Sequence, residues 1–200
     1  MIKIGSSVLF TKRNKLDEFR IDHIASQIIS LRERGIAVVF VISGAVACGS
    51  RFVNLGNSKI SRKVAAGIGQ VILTSTFHNI FKKRGLQVAQ ILLTKNDSNF
   101  QEMNRVIYWY VNAGYIPLIN ENDVVDLNSF KGNDFLGAKI TISLGLNRFI
   151  MLSTINGSSF GVGGEKAKQQ VIRFLKKRGI ETNIVDGKVK NILLNLTYEN

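Results

Sequence analysis

Residues 36–47 read IAVVFVISGAVA, and this stretch decides the fold. Seven apolar residues, Ile36 to Ile42, run without interruption and break at once into Ser43-Gly44. A strand wetted on one face alternates apolar and polar residues. An unbroken run of this length fits a strand buried on both faces, as in a parallel sheet covered by helices. Working outward, the same alternation recurs. Residues 16–34 place Phe19, Ile21, Ile24, Ile28 and Leu31 near helical spacing and stop at Gly35. Toward the C-terminus, helices are expected over 64–84, 101–113, 135–146, 166–178 and 189–196. Strands are expected over 86–93, 116–120, 149–152 and 181–185, and residues 1–4 form a short first strand. Strands separated by helices of ten residues or more pair in parallel through right-handed crossovers. The expected fold is a three-layer α/β/α sandwich with a mainly parallel central sheet. With no repeat, low-complexity tract or Pro/Gly linker, residues 1–200 are expected to form one domain.

Composition narrows the setting. Hydrophobic residues make up 45% of the chain, enough for a sizeable core. The apolar runs are strand-length, short of the roughly 18 residues of a membrane helix, so no membrane is expected as a partner. The start MIKIGSSVLFTKR lacks the pattern of a secretory signal. The single cysteine, Cys48, excludes an internal disulfide and fits a reducing, cytoplasmic setting. It reads as a packed residue and not as a nucleophile, because His23 and His78 both lie far from it in sequence. The net charge of +13 could suit nucleic acid, yet the basic residues are dispersed and none is interleaved with aromatic platforms. A solvated basic surface accounts for them, and nucleic acid is not expected as a partner.

The chemistry gathers elsewhere. Residues 119–134, INENDVVDLNSFKGND, hold three Asp, one Glu and four Asn directly after Pro117-Leu118. Each unpaired polar group buried there would cost about 1–3 kcal/mol, so the segment reads as a site at a strand end and not as core. Polar or glycine-rich turns follow four strands: Gly5-Ser6-Ser7, Ser43-Gly44-Ala45, 120–123 and 153–164. In a parallel sheet all open at one edge, where glycine lets backbone approach phosphate. The Walker A pattern is absent, which excludes a P-loop enzyme. Lys3 lies inside an apolar strand, and Lys168 lies in the first turn of a helix after a glycine-rich loop, where an anionic partner would offset the dipole.

Taken in order, Ile2-Lys3-Ile4-Gly5-Ser6-Ser7, Ser43-Gly44-Ala45-Val46-Ala47, Gly69-Gln70, 88–94 (VAQILLT), 116–123 (IPLINEND), Gly132-Asn133-Asp134 and 161–168 (GVGGEKAK) resemble the glutamate 5-kinase branch of the amino acid kinase family. The resemblance covers nearly the whole chain. It implies ATP-dependent phosphorylation of the γ-carboxylate of L-glutamate, the first step of proline synthesis, with Mg²⁺ accompanying ATP and no metal held by protein ligands alone. By that resemblance Ser43, Gly44, Asp123 and Asn133 hold glutamate, Asp123 meeting its α-ammonium. Lys3 and Lys168 neutralise the transferring phosphoryl group and Asp134 orients both lysines. Gly5, Ser6, Ser153, Thr154, Gly163 and Gly164 line the nucleotide side, the glycines and Ser6 offering backbone donors to phosphate. A homo-oligomer, dimer or tetramer, is also implied.

The chain departs from the family pattern in places. Lys131-Gly132 stands where Gly-Asp is usual before the Asn-Asp pair, and Ser153-Thr154 where Thr-Asp is usual. Only residues 155–160 then precede Gly161, in place of a longer nucleotide-binding excursion. Glu165-Lys166-Ala167 replaces Met-x-Thr, and the RNA-binding-like domain that some members carry is not expected here. The departures fall mostly on the nucleotide side. They leave open an alternative: a relative without turnover that binds glutamate or proline or regulates an active subunit. A carbamate- or uridylate-type kinase is a third reading.

Overall fold

The computed structural model describes residues 1–54, 56, 58–97, 100–154 and 164–198. Among them β1 (Ile2–Ile4), β2 (Phe40–Ile42), β3 (Gln87–Leu93), β4 (Tyr115–Glu121), β5 (Arg148–Ser153) and β6 (Glu181–Asp186) form one sheet in the order β3-β4-β2-β1-β5-β6. Every pairing is parallel, with Ile2 beside Phe40 on one side and beside Ile150 on the other. The helices are α1 (Ser6–Leu9), α2 (Glu18–Glu33), α3 (Ala45–Gly49), α4 (Lys59–Lys83), α5 (Phe100–Asn112), α6 (Asn133–Ser143), α7 (Glu165–Lys176) and α8 (Ile192–Tyr198).

The residues of 36–42 divide between two cores, as a strand covered on both faces requires. Phe40 and Ile42 pack with Ile24 and Ile28 of α2 and Phe77 and Phe81 of α4. Val39 and Val41 pack with Ile107 of α5 and Leu136 and Ile140 of α6. A third cluster joins Phe149 and Met151 to Val171 and Leu175 of α7. Burying a side chain the size of Phe or Leu contributes about 1.5–3 kcal/mol, so these clusters dominate the favourable side of folding.

Some elements differ from their sequence reading. Only the last three residues of 36–42 are strand, because neighbouring β1 begins at Ile2, level with Phe40. The helix expected from residue 64 begins at Lys59, where the Ser58 hydroxyl accepts from Ile60 N at 3.1 Å, a side-chain cap. The last helix is displaced to 192–198, and the short helices α1 and α3 were not legible as helices. By length and composition α4 could span a bilayer. Its Leu73, Phe77 and Phe81 are fully buried in the core, while Ile60, Val64 and Val71 are exposed.

Candidate active site

The sheet order reverses direction at β1, with β2 and β4 on one side and β5 and β6 on the other. Ligands of open α/β sheets sit at such a switch point, beyond the carboxyl ends of the strands. Lys3 lies within β1. Its flanking residues Ile2 and Ile4 point into the α2–α4 core, so its own side chain faces α6. There Lys3 Nζ pairs with Asp134 Oδ1 at 2.5 Å, and the two side chains are only 10% and 4% exposed. The contact is an ion pair off the angles of a hydrogen bond, and Asp134 Oδ1 has no hydrogen-bond partner. A charge buried this deeply is tolerable only when paired.

Gly5 leaves space beside that ammonium. A Cβ placed on Gly5 would lie 3.1 Å from Leu152 O and 3.8 Å from Lys3 Nζ. Its amide, however, donates to Leu152 O at 2.9 Å. Gly5 was expected to offer that donor to phosphate. It contributes close approach instead, because its N–H is committed to β5. Ser6, buried, opens α1, and Ser7 Oγ accepts from Thr154 N at 3.3 Å, tying the ends of β1 and β5 together.

Asn133 and Asp134 open α6, and Asp134 in its first turn complements the helix dipole. The entry is made by Lys131 at φ 64° and Gly132 at φ 109°, ψ 157°. The second conformation is open to glycine and strained for any side chain, so this entry into α6 suits Gly132. Lys131 carries a left-handed conformation that glycine would adopt more readily. Asn133 Oδ1 accepts from Glu121 N at 3.3 Å, reaching back to β4.

Lys168 is anchored on β5. Asp134 was expected to orient both lysines, but Lys168 Nζ donates to the buried Ser153 Oγ at 2.7 Å. Packing α7 after β5 sets Lys168 over the last residue of that strand, and Asp134 is left to hold Lys3. Gly164 caps α7 without a side-chain bond and has open space where a Cβ would stand. Gly163, like Gly161, lies outside the described residues.

On the other side of β1, a cleft of about 250 Å³ opens between Ala45, Gln70, Gln90, Glu121, Asp123 and Val124. Asp123, partly buried, accepts from Asn128 N at 2.9 Å. Burial raises its carboxyl above the usual range, while the Asn128 N–H and Arg62 oppose the rise. Ser43, partly buried, ends β2 before Gly44. Gly44 has φ 117° and faces Phe10, whose ring would lie 2.7 Å from any Cβ there. That position admits glycine alone.

The reading that no core could hold 119–134 needs correction. Asn120, Glu121 and Asp134 are 1%, 4% and 3% exposed. They are buried because each is partnered. Asn120 Nδ2 donates to Gln70 Oε1 at 2.8 Å, and Glu121 Oε1 accepts from Phe130 N at 2.7 Å. Burial pushes the Glu121 carboxyl up to about 7, with further raising by Asp123 and partial opposition from the Phe130 and Gly132 amides. Glu121 and Gln70 were not singled out from sequence. The available signal was an apolar strand running into two successive polar residues, Asn120 and Glu121. Cys48 is buried and its thiol is pushed up to about 12, which keeps it protonated and unreactive.

A parallel α/β sheet with a buried lysine–aspartate pair at its switch point, glycine beside the ammonium and an acid-lined cleft alongside has the features of a phosphate-handling α/β protein. Residues 1–157 match the model of the amino acid kinase family. The chain belongs to that family. It is 28% identical to the glutamate 5-kinase of Chlorobaculum tepidum, covering 99% of this chain and 66% of the relative. It is 32% identical to the glutamate 5-kinase of Syntrophus aciditrophicus, covering 98% and 62%. The chain thus spans about two thirds of the length of these curated relatives. The first alignment runs over 237 positions, more than the 200 residues of this chain, so that relative carries segments this chain lacks. Among solved structures, isopentenyl phosphate kinase aligns with a TM-score of 0.71 at 16% identity, over 99% of this chain and 95% of the other. UMP kinase from Bacillus anthracis aligns at 0.68 and 14%, over 100% and 91%. At these identities the likeness is one of fold.

Proposed function

We propose that the chain transfers the γ-phosphoryl group of ATP to the γ-carboxylate of L-glutamate, giving glutamyl 5-phosphate for proline synthesis. The observation that carries this reading is the Lys3–Asp134 pair at the switch point, next to a cleft carrying Asp123 and Glu121. The residues fit the reactants. A carboxylate acceptor is already ionised at neutral pH, so the site needs no general base. What the reaction needs is charge neutralisation and alignment, since phosphoryl transfer gains most from positioning and electrostatics. Lys3 supplies a preorganised ammonium, aimed by Asp134. Lys168 supplies a second, held by Ser153. Ser6, Thr154, Gly163 and Gly164 belong to the nucleotide side in this reading. Asp123 takes the acceptor's α-ammonium, and Ser43, Gly44 and Asn133 border its carboxylates. Among the described residues no group of three or more Asp, Glu, His or Cys gathers as a metal site. Mg²⁺ would supply Lewis-acid charge while bound to the phosphates of the nucleotide. A homo-oligomer, implied by the resemblance, belongs to the same proposal, and light scattering on the purified protein tests it.

One observation favours a second reading, a relative that binds glutamate or proline without turnover. The chain lacks segments that its relatives carry, and its departures from the family pattern cluster around Ser153-Thr154 and 155–167. A coupled assay for ADP release with L-glutamate, ATP and Mg²⁺ separates the two. Turnover that Lys168→Ala reduces at least a hundredfold supports the kinase. Calorimetric binding of glutamate with no ADP release supports the second reading and rejects the first.

A further inference from the structure

Glu121 is the last residue of β4, 4% exposed, and its carboxyl group reaches across the loop that follows. It accepts from Phe130 N at 2.7 Å. Between Glu121 and Phe130 the chain carries Asp123 into the cleft, and directly after Gly132 it presents Asn133 and Asp134. A second link closes the same ring, since Asn133 Oδ1 accepts from Glu121 N at 3.3 Å. The carboxylate therefore fastens the far end of the loop to the end of the strand from which the loop departs.

We infer that Glu121 is a positioning residue of the acceptor side: its ionised carboxylate clamps the loop after β4 through the Phe130 amide, and protonation loosens the clamp. The inference rests on the functional reading above for its kinetic consequence, though not for its structural one. An ionised acceptor holds amide donors more strongly than a protonated carboxyl does. The charged groups facing Glu121 are Asp123 and Asp126 of the loop itself, with Arg62 of α4 acting on it by way of Asp123. The two loop acids disfavour its ionisation, and burial does so more strongly, which brings its titration to about 7. A substrate ammonium seated near Asp123 would favour the ionised clamp. Acceptor binding and Glu121 ionisation are then linked. The clamp acts on groups proposed to bind the acceptor and does not touch Lys168, so its loss moves KM for the acceptor more than kcat.

Two readouts test this. Steady-state kinetics between pH 6 and 8 should show KM for L-glutamate rising about tenfold toward pH 6, in step with the ionised fraction of a group titrating near 7. In Glu121→Gln, which keeps an acceptor oxygen but cannot ionise, KM should be raised and its pH profile flat. An unchanged profile in that variant overturns the inference. Amide hydrogen exchange on the wild-type chain gives the second readout and depends on no substrate. After correction for intrinsic exchange, protection of the Phe130 amide should rise as pH passes through about 7. Protection that is flat with pH overturns the inference even if glutamate is phosphorylated. Rising protection without glutamate turnover would reject the functional reading and leave the clamp standing.

Discussion

The two halves of the proposed site are built to different standards. On the acceptor side, between β4 and α6, the polar groups hold one another: Gln70 with Asn120, Asn133 with Glu121, Glu121 with Phe130, Asp123 with Asn128, Asp134 with Lys3. On the nucleotide side, among the described residues, Ser153 holds Lys168 and Ser7 holds Thr154. The first half is preorganised at the cost of burying charge, and the second keeps its lysine closer to solvent. The contrast teaches where sequence change is tolerated. Removing a member of a buried network leaves a partner unsatisfied, whereas removing a half-exposed side chain such as Lys168 leaves less behind.

The lysines provide the hardest test of that contrast. Lys3→Ala strands the Asp134 carboxylate in the core and should cost about 3–5 kcal/mol of stability by denaturant titration, besides abolishing turnover. Lys168→Ala should cost turnover while shifting stability by less than about 1 kcal/mol. Equal stability losses for the two would erase the distinction. Asp123→Asn comes next. Losing one charge-assisted contact of about 1.5–3 kcal/mol should raise KM for L-glutamate roughly tenfold to a hundredfold, with kcat changed far less.

Stability against pH sharpens the comparison further. The folded-state titration of Glu121 lies near 7, above the value of about 4.3 in an unfolded chain. Between these values the folded state binds the extra proton. The associated stability is therefore present at low pH and lost as pH rises through about 7. Thermal melts should show Glu121→Gln gaining on the wild type above pH 7, the sign expected where function keeps an unfavourable buried charge. The smallest effect is expected at Lys131, whose φ of 64° suits glycine. Lys131→Gly should stabilise by about 0.5 kcal/mol or less, after the flexibility glycine adds to the unfolded chain.

Much of this was legible in the sequence, for reasons that particular residues show. Residues 36–42 announced a two-faced strand because burial on both sides leaves no polar position, and a lysine amid the apolar residues of β1 announced a charge with a purpose. The helix expected over 135–146 was legible, though it begins two residues earlier, at Asn133. Partnerships at long range were not legible. Gln70 and Asn120 are fifty positions apart, and no local pattern links them. Without such partners the polarity of 119–134 read as incompatible with a core, while the folded chain buries Asn120, Glu121 and Asp134 together. The assignment of Lys168 to Ser153 likewise depends on how α7 packs over the end of β5, which residue spacing does not encode.

The central claim is that this acid-lined, lysine-flanked edge phosphorylates a free amino acid's side-chain carboxylate. The most direct measurement is ADP release from ATP and Mg²⁺ with L-glutamate, set against the same assay with UMP or isopentenyl phosphate as acceptor. The account predicts saturable release with L-glutamate alone, lost in Lys3→Ala. Release with a phosphate-bearing acceptor and none with L-glutamate would contradict it.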